Sequence, residues 1–182
     1  LNIWESDGAG IQLGIGGRGL SPTRTSNYNT RQNGYDISAD ALGYPESYYT
    51  PPTEAIQEIQ LIRGAASLQF GTQFGGLLNF VLKKGPEHKK FELTARHTTG
   101  SFGLNSSYLS FGGSTRTFNY YAYYQYKFGN DWKPNSAFKV HSAGIYMSKY
   151  FTEKFKVSID LTKMYYITQQ AGGLTDLQFN TD

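Results

Sequence analysis

The sequence predicts a mostly β protein with short helices, arranged as two unlike stretches. Three observations carry that reading. The 182 residues include 15 Tyr, 12 Phe and 21 Gly, a bias toward turn-rich β structure over helix. Residues 56–85 read as strand, glycine break, helical turn, glycine-rich turn and strand. Beyond Pro86 the chain alternates apolar and polar residues, the pattern of antiparallel strands with one apolar face.

The first stretch opens with the end of a strand at residues 1–3, then a polar segment. Residues 11–15 alternate as a short strand should. Gly14, Gly16 and Gly19 satisfy the dinucleotide spacing G-x-G-x-x-G, which has meaning only if a helix follows and offers its N-terminus to phosphate. Residues 20–27 are loop-like, so nucleotide binding is set aside. Residues 21–33 form a long polar loop, closed by Asn33 and Gly34, a pair suited to a tight turn because both tolerate positive φ. A second loop, residues 41–49, carries Tyr44, Tyr48 and Tyr49. Thr50 then caps a short helix with Pro51 at its first position. Ile59, Gln60, Leu61 and Ile62 make a strand that stops at Arg63 and Gly64. Residues 65–70 favour a turn of helix ended by Gly71, and Gly75 with Gly76 precedes an apolar strand over residues 77–82.

In the second stretch Phe91, Leu93 and Ala95 begin the alternation. Strands follow over residues 107–111, 118–128, 138–150 and 155–162, with a Gly112, Gly113 and Ser114 turn after the second. Strands of about ten residues have the length that crosses a bilayer when tilted. The connections alternate between tight polar turns and longer loops, and Tyr and Phe near strand ends suit interfacial belts. A soluble β-sandwich or small barrel would show the same alternation, so the pattern alone leaves both open.

Several function classes lose support. There is no cysteine, hence no disulfide framework and no thiolate metal site. A net charge of +3 is too balanced to point to nucleic acid. His88, His97 and His141 lack metal-site spacing, and Ser67 is not in a nucleophile elbow, so nothing points to an enzyme. No apolar run reaches the ~18 residues of a membrane helix, and no signal peptide opens the chain. The abrupt start and polar end suggest a fragment.

The order Ile56–Ile59, Arg63 with Gly64, residues 65–68, Phe70 with Gly71, Gly75 with Gly76, Asn79, and Lys83 with Lys84 resembles the end of the plug domain in TonB-dependent outer-membrane receptors. Residues 15–19 are similar to that family's apolar segment before an Arg-Gly pair, which places Arg18 as its arginine. The family's Asp-Gly turn is replaced here by Asn33 and Gly34. Gly172, Gly173 and Phe179 resemble an external loop of its ferric-citrate-like branch.

The resemblance implies an α+β plug over residues 1–86, lacking its N-terminal part. The first five strands or so of an incomplete transmembrane β-barrel would follow over residues 87–182. A plugged barrel of this kind needs roughly 22 strands. It further implies uptake of a ferric chelate, siderophore or ferric citrate, across the outer membrane of a Gram-negative bacterium. Iron would enter only as part of the cargo, with no resident cofactor or metal. The partners implied are outer-membrane lipid, the small chelate and the TonB complex, whose contact segment would precede Leu1. Arg18 and Arg63 correspond to arginines that lock plug to barrel. Arg24, Arg31, Asn33, Tyr44, Tyr48 and Tyr49 would meet ligand at the loop apices, the arginines facing an anionic chelate. The alternative is a secreted or periplasmic β-rich protein that binds glycans on its tyrosines.

Overall fold

The computed structural model describes residues 2–5, 7–17, 19–25, 27–39, 44, 46–63, 75–170, 172, 175, 176 and 181, the side chains of Asn2 and Arg24 excepted. Among the described residues eleven strands form three sheets. β1 (Asn2–Glu5) pairs antiparallel with β2 (Leu13–Gly16). A four-stranded sheet has the order β4-β3-β6-β5, from β3 (Tyr28–Gln32), β4 (Tyr35–Asp36), β5 (Ile56–Ile62) and β6 (Gly76–Leu82). β7 (Glu92–Thr99), β8 (Asn105–Ser114), β9 (Phe118–Gly129), β10 (Phe138–Thr152) and β11 (Phe155–Thr168) follow one another as an open antiparallel meander. The helical content among the described residues is close to nil, mainly 3-10 turns such as Thr23–Thr25 and Thr53–Ala55.

β3 corrects the expectation of an uninterrupted polar loop over residues 21–33. It pairs parallel with β6 and antiparallel with β4, and its Tyr28 is only 1% exposed. Polar side chains hid this strand, because Asn29, Thr30 and Gln32 are buried in spite of their polarity. The helix expected after Thr50 is instead the 3-10 turn that follows Pro52, and the Thr50 hydroxyl donates to the Ile11 carbonyl at 2.8 Å. The helical turn expected over residues 65–70 lies outside the described residues. Gly112, Gly113 and Ser114 continue β8 rather than ending it. A Cβ on Gly113 would collide with the Lys90 carbonyl, so these glycines let the linker of residues 83–91 lie against the wall.

The five-stranded wall has its polarity reversed relative to a water-soluble sheet. Its buried row carries Ser106, Tyr108 and Ser110 on β8, Tyr121, Tyr123 and Gln125 on β9, and Ser142 and Ser148 on β10. The opposite row exposes Leu109 at 46%, Ile145 at 47% and Leu161 at 62%, with Leu93, Phe111 and Ile159 beside them. Apolar outside and polar inside is the arrangement of a wall bathed in lipid.

The smaller sheets sit on the polar side of that wall. Ile15, Tyr28, Leu78 and Phe80 form a core among the inner strands. Ala55 and Leu82 pack on Tyr108, Tyr121 and Tyr123, and Ala9 with Ile11 packs on Phe138 and Val140.

Candidate functional site between the inner sheet and the wall

The strand order sorts the connections by side. Residues 115–117 and 153–154 are tight turns at one end of the wall, while residues 100–104 and 130–137 are longer loops at the other. The β3–β4 hairpin belongs to the tight-turn end. Its Asn33 adjoins Leu82, and Gly85 just beyond is held by Asn119 at the start of β9 through bonds of 3.0 and 2.7 Å.

Asn33 and Gly34 form a two-residue turn with φ of 50° and 85°, the left-handed geometry that Asn-Gly permits. Holding Asn33 there aims its carboxamide in two directions. Its oxygen accepts from the Leu82 amide at 2.9 Å, and its nitrogen donates to the Asp160 carboxylate on β11 at 2.5 Å. The Gly34 amide donates to Asn79 Oδ1, and Asn79 Nδ2 donates to Gln60 Oε1, each at 2.9 Å. One turn is thereby fastened to β6 and to the wall.

The same hairpin absorbs Arg31. Its Nε donates to Asn29 Oδ1 and a terminal nitrogen to the Gly34 carbonyl, both at 2.7 Å. Asn29 in turn donates to Asp36 at 2.5 Å. Burial alone would push the Asp36 carboxyl up, but hydrogen bonds from Ser38 and Asn29, with the Arg31 charge, hold it below the usual carboxylate range.

Tyr49 turns inward. Its hydroxyl donates to Gln32 Oε1 at 2.7 Å, near Tyr123, Thr162 and Asp160, and burial pushes its phenol up and keeps it neutral. Deeper along the interface, Gln125 donates to Glu54 at 3.1 Å, and the Tyr108 and Tyr121 hydroxyls meet at 2.7 Å. Toward the long-loop end, the Lys127 ammonium donates to the Ala9 carbonyl at 2.7 Å.

Six residues were expected to meet ligand at the loop apices, and the structure gives Arg31, Asn33 and Tyr49 partners within the protein. Arg31, Asn33 and Tyr49 are spent on the hairpin and its attachment to the wall. Tyr44 and Tyr48 remain an exposed edge-to-face pair at 6.3 Å, with the Tyr48 hydroxyl 3.1 Å from buried Glu46. Arg24 belongs to the 3-10 turn Thr23–Thr25. Arg18 lies outside the described residues. Arg63 is exposed at the end of β5, and among the described residues it meets no carboxylate. The groups that do fasten the two layers, Asp160, Glu54, Gln125 and Asn119, were not singled out from sequence. The alternation did mark Asp160, which falls in the polar row between Ile159 and Leu161.

The Asn33–Asp160 bond joins a carboxylate to a neutral donor, so losing it is expected to cost about 1.5–3 kcal/mol. Asp160→Ala should show that loss in denaturant titration, Asn33→Ala should lose more because its Leu82 bond and left-handed turn suffer too, and the double variant should lose little more than Asn33→Ala alone. Fully additive losses would mean that the two side chains do not act on each other.

No family model matches the sequence, and no curated protein matches it. Solved structures do match. A ferric citrate transporter, FecA in its unliganded form, aligns with a TM-score of 0.78 and 22% identity over 100% of this chain and 29% of the other. The siderophore receptor PirA from Pseudomonas aeruginosa aligns at 0.65 and 18% identity over 85% of this chain and 28% of its own. The pyoverdine outer membrane receptor FpvA from Pseudomonas aeruginosa, bound to pyoverdine, gives 0.64 and 18% over 84% and 22%. The chain thus spans less than a third of the length of these proteins. Its fold resembles the plug and partial-barrel region of TonB-dependent receptors, the likeness that the motif order over residues 56–85 suggested.

Proposed function

We propose that the chain is the plug, residues 1–86, and the first five wall strands, residues 87–182, of a TonB-dependent receptor in a Gram-negative outer membrane. It takes up an anionic ferric chelate, a siderophore or ferric citrate. The observation that carries the reading is the reversed polarity of the wall, with Leu109, Ile145 and Leu161 outward and a polar row inward against the smaller sheets. A soluble glycan-binding sheet would place those rows the other way round. The names of the matched structures, all receptors or transporters, point in the same direction.

In this reading the tight turns face the periplasm and the longer loops face outward. Arg24, Tyr44 and Tyr48 take the role of ligand contacts, offering a guanidinium fork and two exposed rings. Arg31, Asn33 and Tyr49 hold the plug together and to the wall. Arg18 and Arg63 keep the role of pairing with acids on other parts of a complete wall. The energised TonB complex pulls on the plug and opens a path along the wall.

Fractionation of cells expressing the full-length protein, followed by uptake of labelled ferric citrate and a panel of ferric siderophores, tests this. Outer-membrane recovery and uptake of at least one chelate that stops when TonB is deleted are expected. A protein that stays soluble, or that moves none of these chelates, refutes it. In the purified receptor, Tyr44→Ala with Tyr48→Ala should weaken binding of the transported chelate about tenfold, since each aromatic contact contributes roughly 0.5–1.5 kcal/mol.

A further inference from the structure

Around the Asn33–Asp160 bond, the β3–β4 hairpin and the wall's last strand, β11, border an open cavity of about 980 Å³ that extends from Thr162 to Lys156. It runs into a second space of about 400 Å³ through Lys84, Tyr146 and Lys156, which line both. The two lysines are positioned rather than trailing. The Lys84 ammonium lies 5.1 Å from the centre of the Tyr146 ring, and that of Lys156 lies 4.9 Å from the Tyr150 ring. Among the described residues neither is in an ion pair. Arg116 adds a third cation at the turn end of the smaller space. The acids facing this region are Asp160, already bonded to Asn33, and Glu87.

Cations outnumber acids here, and the spacing gives the charge a direction. Lys156 precedes Asp160 by four residues on the same face of β11, roughly 13 Å along an extended strand. The carboxylate therefore sits at the inner end and the Lys156 ammonium at the turn end, while Lys84, over the Tyr146 ring that pairs across the strands with Asp160, lies at the carboxylate's level. Ammonium groups are hydrated point charges on flexible stems, suited to attracting an anion without the two-point grip of a guanidinium. A group that must release its anion gains from that weakness.

We infer that Lys84 and Lys156 make this cavity an anion site, a transit station for a small polycarboxylate on the exit side of the plug. The transit role rests on the receptor reading above, whereas the anion site rests on the cavity and its charges.

These 182 residues hold no cysteine, so once any cysteine elsewhere in the full-length protein is replaced by serine, a single introduced thiol is an unambiguous reporter. Ser158→Cys places one in the cavity, in the full-length protein in detergent micelles. Its reaction rates with sulfonatoethyl and trimethylammonioethyl methanethiosulfonate, each divided by the rate with free cysteine, read the local potential. We expect the anionic reagent to be favoured severalfold, the net effect of two ammonium groups set against the Asp160 carboxylate. Adding Lys84→Gln and Lys156→Gln should return the ratio to about that of free cysteine. Citrate should slow labelling only when the lysines are present. No preference for the anionic reagent, or a preference that survives loss of both lysines, overturns the site. Chelate uptake separates the two readings. A lysine-dependent preference in a protein that moves no chelate leaves the anion site standing and removes the receptor. Unchanged uptake by the Lys84→Gln, Lys156→Gln receptor leaves the receptor standing and removes the transit role.

Discussion

Ile145→Arg is expected to destabilise the protein folded in a bilayer by about 2–4 kcal/mol, the cost of an arginine on the lipid face near the midplane. Ile145 lies near the middle of β10, opposite Ala122 on β9 and Leu161 on β11, and it is 47% exposed. Were that exposure to water, a half-exposed isoleucine could become arginine with a change within about 0.5 kcal/mol. The two solvents thus predict effects several-fold apart at one position. Lys149→Arg, near the turn end of the same outward row, is the control and should be neutral. Denaturant titration of protein refolded in lipid vesicles, followed by the heat-sensitive gel mobility of β-barrels, makes the comparison. Equal midpoints for the two variants would remove lipid from the outer face.

That comparison draws on the part of the fold that sequence exposed most directly. β9 and β11 announce both faces through alternation, because a strand with one apolar outer face and one face on a polar interior cannot mix its rows. The end of β8 was hidden for a local reason. Gly112, Gly113 and Ser114 look like a turn, yet they extend the strand where the linker backbone presses close and the Ser114 amide donates to the Lys89 carbonyl at 2.8 Å. β3 was hidden because periodicity detects burial of apolar groups, whereas Asn29, Thr30 and Gln32 are buried as polar groups.

The candidate site was legible in residue type and less so in placement. Arg31, Asn33 and Tyr49 have the chemistry of ligand contacts, and that same chemistry joins a hairpin to a wall. Only the direction of β3, parallel to β6 and running toward the linker, tells which partner they face. That direction depends on a pairing between residues some fifty positions apart, which local pattern does not report.

The largest effect on the inner layer is expected from Tyr28→Ala, about 3–5 kcal/mol for removing a fully buried ring. Tyr28 is 1% exposed and packs with Ile15, Leu78 and Phe80, so its ring joins β2 to the β3–β6 pair. The backbone closes around it. A Cβ on Gly75 would lie 2.5 Å from the ring, and one on Gly17 would lie 2.5 Å from its hydroxyl. Neighbours fitted this closely cannot collapse into the space, so the cavity term adds to the lost transfer energy. The four inner strands run to only seven residues at most and hold little stability in reserve. The wall does not depend on Tyr28, because its strands bond to one another and, in the receptor reading, its outer row meets lipid. Damage should therefore stay on one side. In the receptor reading, hydrogen exchange over β3 and β6 accelerates in Tyr28→Ala while β8 to β10 stay protected, and cells carrying it admit large antibiotics that the wild type excludes. Tyr28→Phe, which keeps the ring, should restore both the protection and the seal. Protection of β3 and β6 that survives in Tyr28→Ala would mean that the hairpin's bonds to Leu82 and Asp160, and not the ring, hold the inner layer in place.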